Sequence, residues 1–118
     1  MHELSVAQAL IEQVEAAATK ESALRVVRVV ITVGALSGVD AEAMRSLFPL
    51  VAEGTVAAGA ELVIEQVAVR VRCRDCGHEA PAEAELFVGC AACGSKKVEL
   101  SAGRELNIKS LELEVNER

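Results

Sequence analysis

Cys73-Arg74-Asp75-Cys76-Gly77, followed after a connection by Cys90-Ala91-Ala92-Cys93-Gly94, is the stretch that decides the architecture. It holds all four cysteines of the 118-residue chain, as two Cys-x-x-Cys-Gly units. Two residues between sulfurs let a tight turn aim both thiolates at one ion, and the paired spacing is that of a structural zinc site. A glycine after each pair supplies the positive φ that closes the turn. Four sulfurs fill a tetrahedral sphere and leave no position for substrate. Cys73, Cys76, Cys90 and Cys93 are therefore expected to hold Zn(II) as a structural element. Two disulfides would suit a secreted chain instead, and no signal peptide opens this one. A redox pair of the thioredoxin kind leads into a helix that lowers its first thiol's pKa; here each pair leads into glycine and polar residues.

The flanks of this segment read as strands. One runs from about Glu61 to Arg72, with Val67, Val69 and Val71 on one face, straight into Cys73. The last runs from about Glu105 to Val115, and its alternation changes phase between Leu106/Ile108 and Leu111/Leu113/Val115. A bulge near Lys109-Ser110 reconciles the halves. The knuckles thus interrupt a main domain between its last two strands. Residues 1–70 and 104–118 form one expected domain and residues 71–103 an inserted zinc-binding lobe. Between Cys76 and Cys90 the lobe offers essentially Leu86, Phe87 and Val88 as apolar residues, each able to contribute about 1.5–3 kcal/mol on burial. Structural zinc contributes on the order of 10–16 kcal/mol in small finger peptides, so the ion must dominate the lobe's stability.

Further out, Leu24 to Val33 predicts a strand with Val27, Val29, Ile31 and Val33 on its apolar face and Val26, Arg28, Val30 and Thr32 opposite. Val6, Leu10, Val14 and Ala17 predict a first helix, with Ser5 and Gln8 at capping-box spacing and Leu4 as a staple. Asp40 is the expected N-cap of a second helix carrying Met44, Leu47, Phe48 and Val51, kinked or ended early by Pro49 and closed by Gly54. The fold class is α+β: a small mixed sheet of about three strands with two helices, plus a zinc-ribbon-like lobe with two CxxC knuckles.

Composition bounds the function. Apolar residues make up 52% of the chain, yet Phe48 and Phe87 are its only aromatics, so the core must be aliphatic. The stacking platforms of single-strand nucleic-acid binders are missing. Net charge is −6, which repels a polyanion, although residues 70–104 carry six basic side chains against five acidic. Arg70, Arg72, Arg74, Lys96 and Lys97 sit where a dianionic Zn(Cys)4 centre attracts cations. No apolar run nears the roughly 20 residues of a membrane span, and a cytoplasmic location is expected. A zinc-ribbon nucleic-acid adaptor and a thiol redox enzyme are the competing classes. Salt-sensitive nucleic-acid binding would mark the first, and free-thiol reactivity the second. No paired carboxylates, nucleophile–base pair or phosphate-binding glycine loop points to an enzyme.

The remaining chemistry is at the start, Met1-His2-Glu3-Leu4-Ser5. A free α-amine and an imidazole both give up their protons near neutrality. The amine, the His2 backbone nitrogen and His2 Nδ1 can close a five- and a six-membered chelate ring on one ion. Such near-planar nitrogen ligation favours Ni(II) or Cu(II) over tetrahedral zinc. Glu3, or Asp40 from the middle loop, could complete the set. His78, after the first knuckle, reads as an exposed knuckle residue, and Glu112, Glu114 and Glu117 as a solvated strand face and tail.

Met-His-Glu-Leu-Ser at the start, Gly34-Ala35-Leu36-Ser37-Gly38-Val39-Asp40 and the paired knuckles together resemble the HypA/HybF family of hydrogenase-maturation nickel chaperones, along essentially the full length. The resemblance implies a metallochaperone rather than an enzyme. Its transient cargo would be Ni(II), bound by His2 as essential ligand with the Met1 amine and Glu3 contributing, and Asp40 near the site. Structural Zn(II) would sit on the four cysteines. The implied partners are the GTPase HypB and the immature [NiFe]-hydrogenase large subunit, with no nucleic acid or membrane and with a homodimer left open. Three features depart from the family pattern: Ala91 where a proline is common, Ser95 where some members carry a second histidine, and Pro49.

Overall fold

Two helices form where apolar residues recur at helical spacing: α1 (Glu3–Lys20) and α2 (Ala41–Ala52). The strands are β1 (Ala23–Gly34), β2 (Glu61–Val67), β3 (Arg70–Cys73), β4 (Glu79–Pro81), β5 (Val98–Ala102) and β6 (Leu106–Val115). The computed structural model describes residues 2–82 and 89–116. Leu86, Phe87, Val88 and Glu117 lie outside the described residues, as does Met1.

The strands make two three-stranded sheets, ordered β2-β1-β6 and β4-β3-β5. In the first, β2 lies parallel to β1, from Arg28 opposite Glu61 to Gly34 opposite Val67, while β6 runs antiparallel. Parallel neighbours need a crossover, and α2 supplies it. The sheet is therefore mixed, as the α+β reading required. One face of β1 (Val26, Val29, Ile31, Val33) is buried under Leu10, Ile11 and Val14 of α1 and Met44 and Phe48 of α2. Among the described residues, Phe48, Ile31 and Met44 are the largest fully buried side chains, each contributing about 1.5–3 kcal/mol by leaving water. The opposite face is polar: Arg28 bridges Glu61 and Glu112, Lys109 meets Glu65, and Arg25 meets Glu114. These pairs are half exposed and individually weak.

The phase change in the last strand is real. Ser110 pairs with Val30 and Ile108 with Ile31, leaving Lys109 as the extra residue. β1 departs from the expected alternation for the same kind of reason. Its register against β6 slips between Val26 and Arg28, so Val26 is fully buried and Val27 only half so. A period-2 reading carried through Val27 puts those two residues on the wrong faces, because one inserted residue inverts everything on its far side.

Four other expectations are corrected. Helix α1 begins at Glu3, so Ser5 lies inside the first turn; its hydroxyl donates to the His2 carbonyl at 3.1 Å and no capping box forms. Leu4, inside the helix rather than ahead of it, stays 51% exposed and staples nothing. The strand expected from Glu61 to Arg72 is two strands, broken at Ala68-Val69. Val67 is the last residue with a partner on β1, which ends at Gly34, so beyond it the chain is released to start the second sheet. Of the two outcomes expected at Pro49, the early end does not occur: helix α2 continues to Ala52, and Gly54, with φ of +76°, follows its C-cap as expected. The missing proline N–H costs one ladder bond, and burial of Phe48 and Ala52 on either side holds the turn. Asp40 is the N-cap as expected, its Oδ1 accepting from Glu42 N–H at 2.9 Å and from Ala43 N–H at 3.4 Å.

The loop between β1 and α2 ties the two sheets together. Ala35 N–H donates to Val67 O at 2.9 Å on the outgoing chain. Gly34 N–H reaches Glu105 O at 2.7 Å and Leu36 N–H reaches Gly103 O at 2.6 Å on the returning chain. The backbones approach so closely that a Cβ on Gly34 would sit 2.2 Å from Gly103 O; only glycine fits there.

Candidate metal centre

Strand β3 delivers Cys73 into a turn in which Gly77 N–H returns to Cys73 O at 3.0 Å and Cys76 N–H points at Cys73 Sγ at 3.5 Å. The second knuckle repeats this backbone: Gly94 N–H to Cys90 O at 2.8 Å, and Ala92 N–H to Cys90 Sγ at 3.3 Å. Gly77 and Gly94 both take φ of +78°, the left-handed conformation expected for closing each turn. Each knuckle is locked by the residue behind it, with Cys73 N–H on His78 O at 2.9 Å and Cys90 N–H on Ser95 O at 2.7 Å. The Ser95 hydroxyl donates to Asp75 at 2.6 Å and so clips one knuckle to the other.

The four sulfurs converge within 4.8 Å of one another. Two pairs that run between knuckles, Cys73–Cys93 and Cys76–Cys90, both stand at 3.6 Å. A tetrahedral zinc with bonds of about 2.3 Å sets its sulfurs about 3.8 Å apart, so the cage fits such an ion without rearrangement. Cys73 and Cys90 are buried, while Cys76 and Cys93 are exposed.

Their acidities divide along the same line. The Cys76 N–H, with that of Asp75 and the sulfurs of Cys93 and Cys76, lowers the Cys73 thiol to about 7 against the cost of desolvation. Cys90 is lowered mainly by the Cys93 N–H. At Cys93 the Ser95 N–H favours the thiolate, but the bond to the Cys73 sulfur, desolvation and the other sulfurs outweigh it and push the thiol up to about 12. Cys76 is raised too, with the His78 N–H overcome by desolvation and the Cys90 sulfur. A divalent soft-to-borderline cation supplies the charge that four thiolates together require.

The basic residues around the cage are not unopposed. Arg72 and Arg74 share Glu99 at 3.9 and 3.5 Å, and Arg70 meets Glu79 at 3.8 Å. His78 is exposed, and its carbonyl rather than its ring engages the knuckle.

At the start of α1, His2 occupies the N-cap position with its side chain exposed, its carbonyl accepting from Val6 N–H at 2.9 Å. Glu3 is 8% exposed and reaches across to α2, its Oε2 accepting from Asp40 N–H at 2.9 Å. The amino-terminal ammonium, the Asp40 N–H and its own N–H hold the Glu3 carboxyl down to about 2, although burial opposes this. The structure therefore brings Glu3 and Asp40 together from opposite ends of a 37-residue separation. The bond joins a side chain to a backbone amide, which no residue pattern signals, although Glu3 and Asp40 are both expected near the amino-terminal donors.

The model of the family described as "Hydrogenase/urease nickel incorporation, metallochaperone, hypA" matches residues 1–113. The chain belongs to the HypA family. The hydrogenase maturation factor HypA of Synechococcus elongatus is 43% identical over 113 residues, covering 96% of this chain and 99% of its own. That of Aquifex aeolicus is 40% identical over 116 residues, covering 98% and 100%. The solution structure of the Ni metallochaperone HypA from Helicobacter pylori superposes with a TM-score of 0.71 at 34% identity, covering 98% of this chain and all of that one. HypA proteins are metallochaperones of hydrogenase maturation and not enzymes, and the four-cysteine cluster is a metal-binding arrangement consistent with that class.

Proposed function

We propose that this HypA-family chain carries Ni(II) at its amino end and delivers it to the [NiFe]-hydrogenase large subunit, while Zn(II) on Cys73, Cys76, Cys90 and Cys93 holds the lobe of residues 71–103. The nickel-binding part comprises residues 1–70 and 104–118. The observation that carries the reading is the placement of His2: an exposed residue at the N-cap of a long helix whose first residue, Glu3, is anchored to the start of α2. Donors that are few, terminal and exposed suit an ion that must be released, whereas the sulfur cage suits one that stays.

The proposed nickel set is the Met1 amine, His2, Glu3 and Asp40. Glu3 and Asp40 already have work for their carboxylates, Glu3 on the Asp40 amide and Asp40 on the α2 cap. HypB is the proposed GTPase partner and the cytoplasm the proposed compartment, with no nucleic-acid or membrane partner. Zinc supplies no reaction chemistry here; it closes the cage and orders the strands β3, β4 and β5.

Isothermal titration with nickel separates this reading from its rivals. The chain with its native amino end should take up about one equivalent, and a version extended by a few residues there should lose that site while keeping its zinc. Equal uptake by both versions would remove the terminal chelate from consideration.

A further inference from the structure

The crossover β1–α2–β2 leaves two features that neither metal site uses. The first is the outer edge of β2. Val67 turns its carbonyl to Ala35 N–H, and Gly34 is its register partner on β1. Amide groups alternate sides along a strand, so Val63, Glu65 and Val67 bond inward to β1 while Leu62, Ile64 and Gln66 turn theirs outward. Among the described residues, no strand pairs with that edge. The second is a groove of about 450 Å³ at its carboxyl end, between β2 and the start of α2, lined by Gly34, Ala35, Val39, Ala41, Gln66 and Ala68. Ligands of parallel β-α-β units approach from this side, outside the strand ends.

Charge selects the occupant. Residues 41–68 carry four carboxylates (Glu42, Glu53, Glu61, Glu65) against one cation, Arg45. Glu61 and Glu65 stand on the polar face of the edge strand, and their bonds to Arg28 and Lys109 come from the β1–β6 side, leaving the outer side open. Leu62 and Ile64 stand on the helix face, half-buried. A strand added here needs cations beside Glu61 and Glu65, apolar side chains beside Leu62 and Ile64, and a small apolar end for the groove.

We propose that the outer edge of β2, with the groove at its carboxyl end, takes an extended peptide segment of a partner protein, alternating basic and apolar residues, as a fourth strand. Main-chain hydrogen bonds give such strand addition its affinity and alternate side chains its selectivity. The inference is independent of which ion the amino end carries.

The test uses the zinc-loaded full chain and a blocked peptide of alternating lysine and valine, about eight residues long, beside its glutamate–valine counterpart. With the basic peptide, amide exchange at Leu62, Ile64 and Gln66 should slow about tenfold or more while Val63, Glu65 and Val67 stay unchanged, and the acidic peptide should bind at least about tenfold more weakly. Gln66→Pro removes an outward donor without touching the β1 ladder, a position where an edge strand tolerates proline, and should weaken binding about tenfold. Ala68→Leu, at an exposed groove position, should do the same by filling the groove, and serves alone if the proline variant unfolds. The proposal is overturned if the outward amides gain no protection, if protection appears on β6 or the cysteine lobe instead, or if both peptides bind equally. Protection that depends on protein concentration without peptide would assign the edge to a second copy of the chain and overturn it equally.

Discussion

Replacing Gly34 by alanine tests whether the two sheets are held together by backbone contact. The added Cβ would lie 2.2 Å from Gly103 O, 2.3 Å from Gly103 C and 2.7 Å from Arg104 N. Ordinary contact starts at 3.4 Å, so the returning chain must retreat by about 1.2 Å. That movement breaks or stretches the bonds Gly34 N–H to Glu105 O (2.7 Å) and Leu36 N–H to Gly103 O (2.6 Å). Two such bonds are worth about 0.5–1.5 kcal/mol each, and overpacking adds about 1–3 kcal/mol. The stiffer unfolded chain of the alanine variant returns only about 0.4–1 kcal/mol. A net loss of roughly 1–6 kcal/mol follows, centred on about 3, which in a chain of this size lowers Tm by roughly 4–22 °C, centred on about 12 °C. Thermal unfolding of the zinc-loaded protein, followed by circular dichroism, measures it. Gly38→Ala is the contrast: Gly38, unlike Gly34, has positive φ (+82°), and nothing lies within 4 Å of its added Cβ, so only a backbone penalty of about 1–2 kcal/mol applies there. A Gly34→Ala variant as stable as the parent, or Gly38→Ala the more damaging of the two, would refute the close approach as a structural tie.

Cys73→Ala should release the lobe, read as loss of zinc and new protease cleavage between residues 72 and 100, with α1 and the β2-β1-β6 sheet retaining their circular dichroism. Asp40→Ala should cost about 1 kcal/mol in denaturant unfolding by leaving two α2 amides without their acceptor, and Asp40→Asn should recover most of it. Because the folded protein holds the Glu3 carboxyl down to about 2, below its unfolded value, its contribution to stability is present in full above pH 4.5 and fades as the pH falls toward 2. Acid titration of Glu3→Gln should accordingly show a shallower loss of stability over that window than the parent. Nickel affinity should rise from pH 6 to pH 8, since amine and imidazole must both shed protons to ligate, and calorimetry showing a flat profile would contradict terminal nitrogen ligation.

Local chemistry was readable wherever a residue type has one conformational use. Each knuckle's Cys-x-x-Cys-Gly spacing implied its turn and its positive-φ glycine, Asp40 implied its cap, and the phase change around Lys109 implied the bulge that pairs Ser110 with Val30. The misreadings arose where a partner strand or helix decided the outcome. Val26 and Val27 exchange faces because β6 slips against β1, and a strand reading of residues 61–72 has no way to know that β1 runs out at Gly34. Ser5 looks like a cap until the helix starts at Glu3, where the carboxylate is drawn to a backbone amide 37 residues away.

By itself, the order of amino acids determined that four sulfurs would meet, that an aliphatic layer would cover a mixed sheet, and that a chelating triad could exist at the first residues. These are matters of spacing, and spacing survives in one dimension. Tertiary structure alone decided that Glu3 reaches Asp40, that the loop 34–38 binds both chains leading to the cysteine lobe, and that β2 keeps one edge and a groove open. Each of those depends on backbone groups, which are identical at nearly every position and so leave no mark in the side-chain pattern.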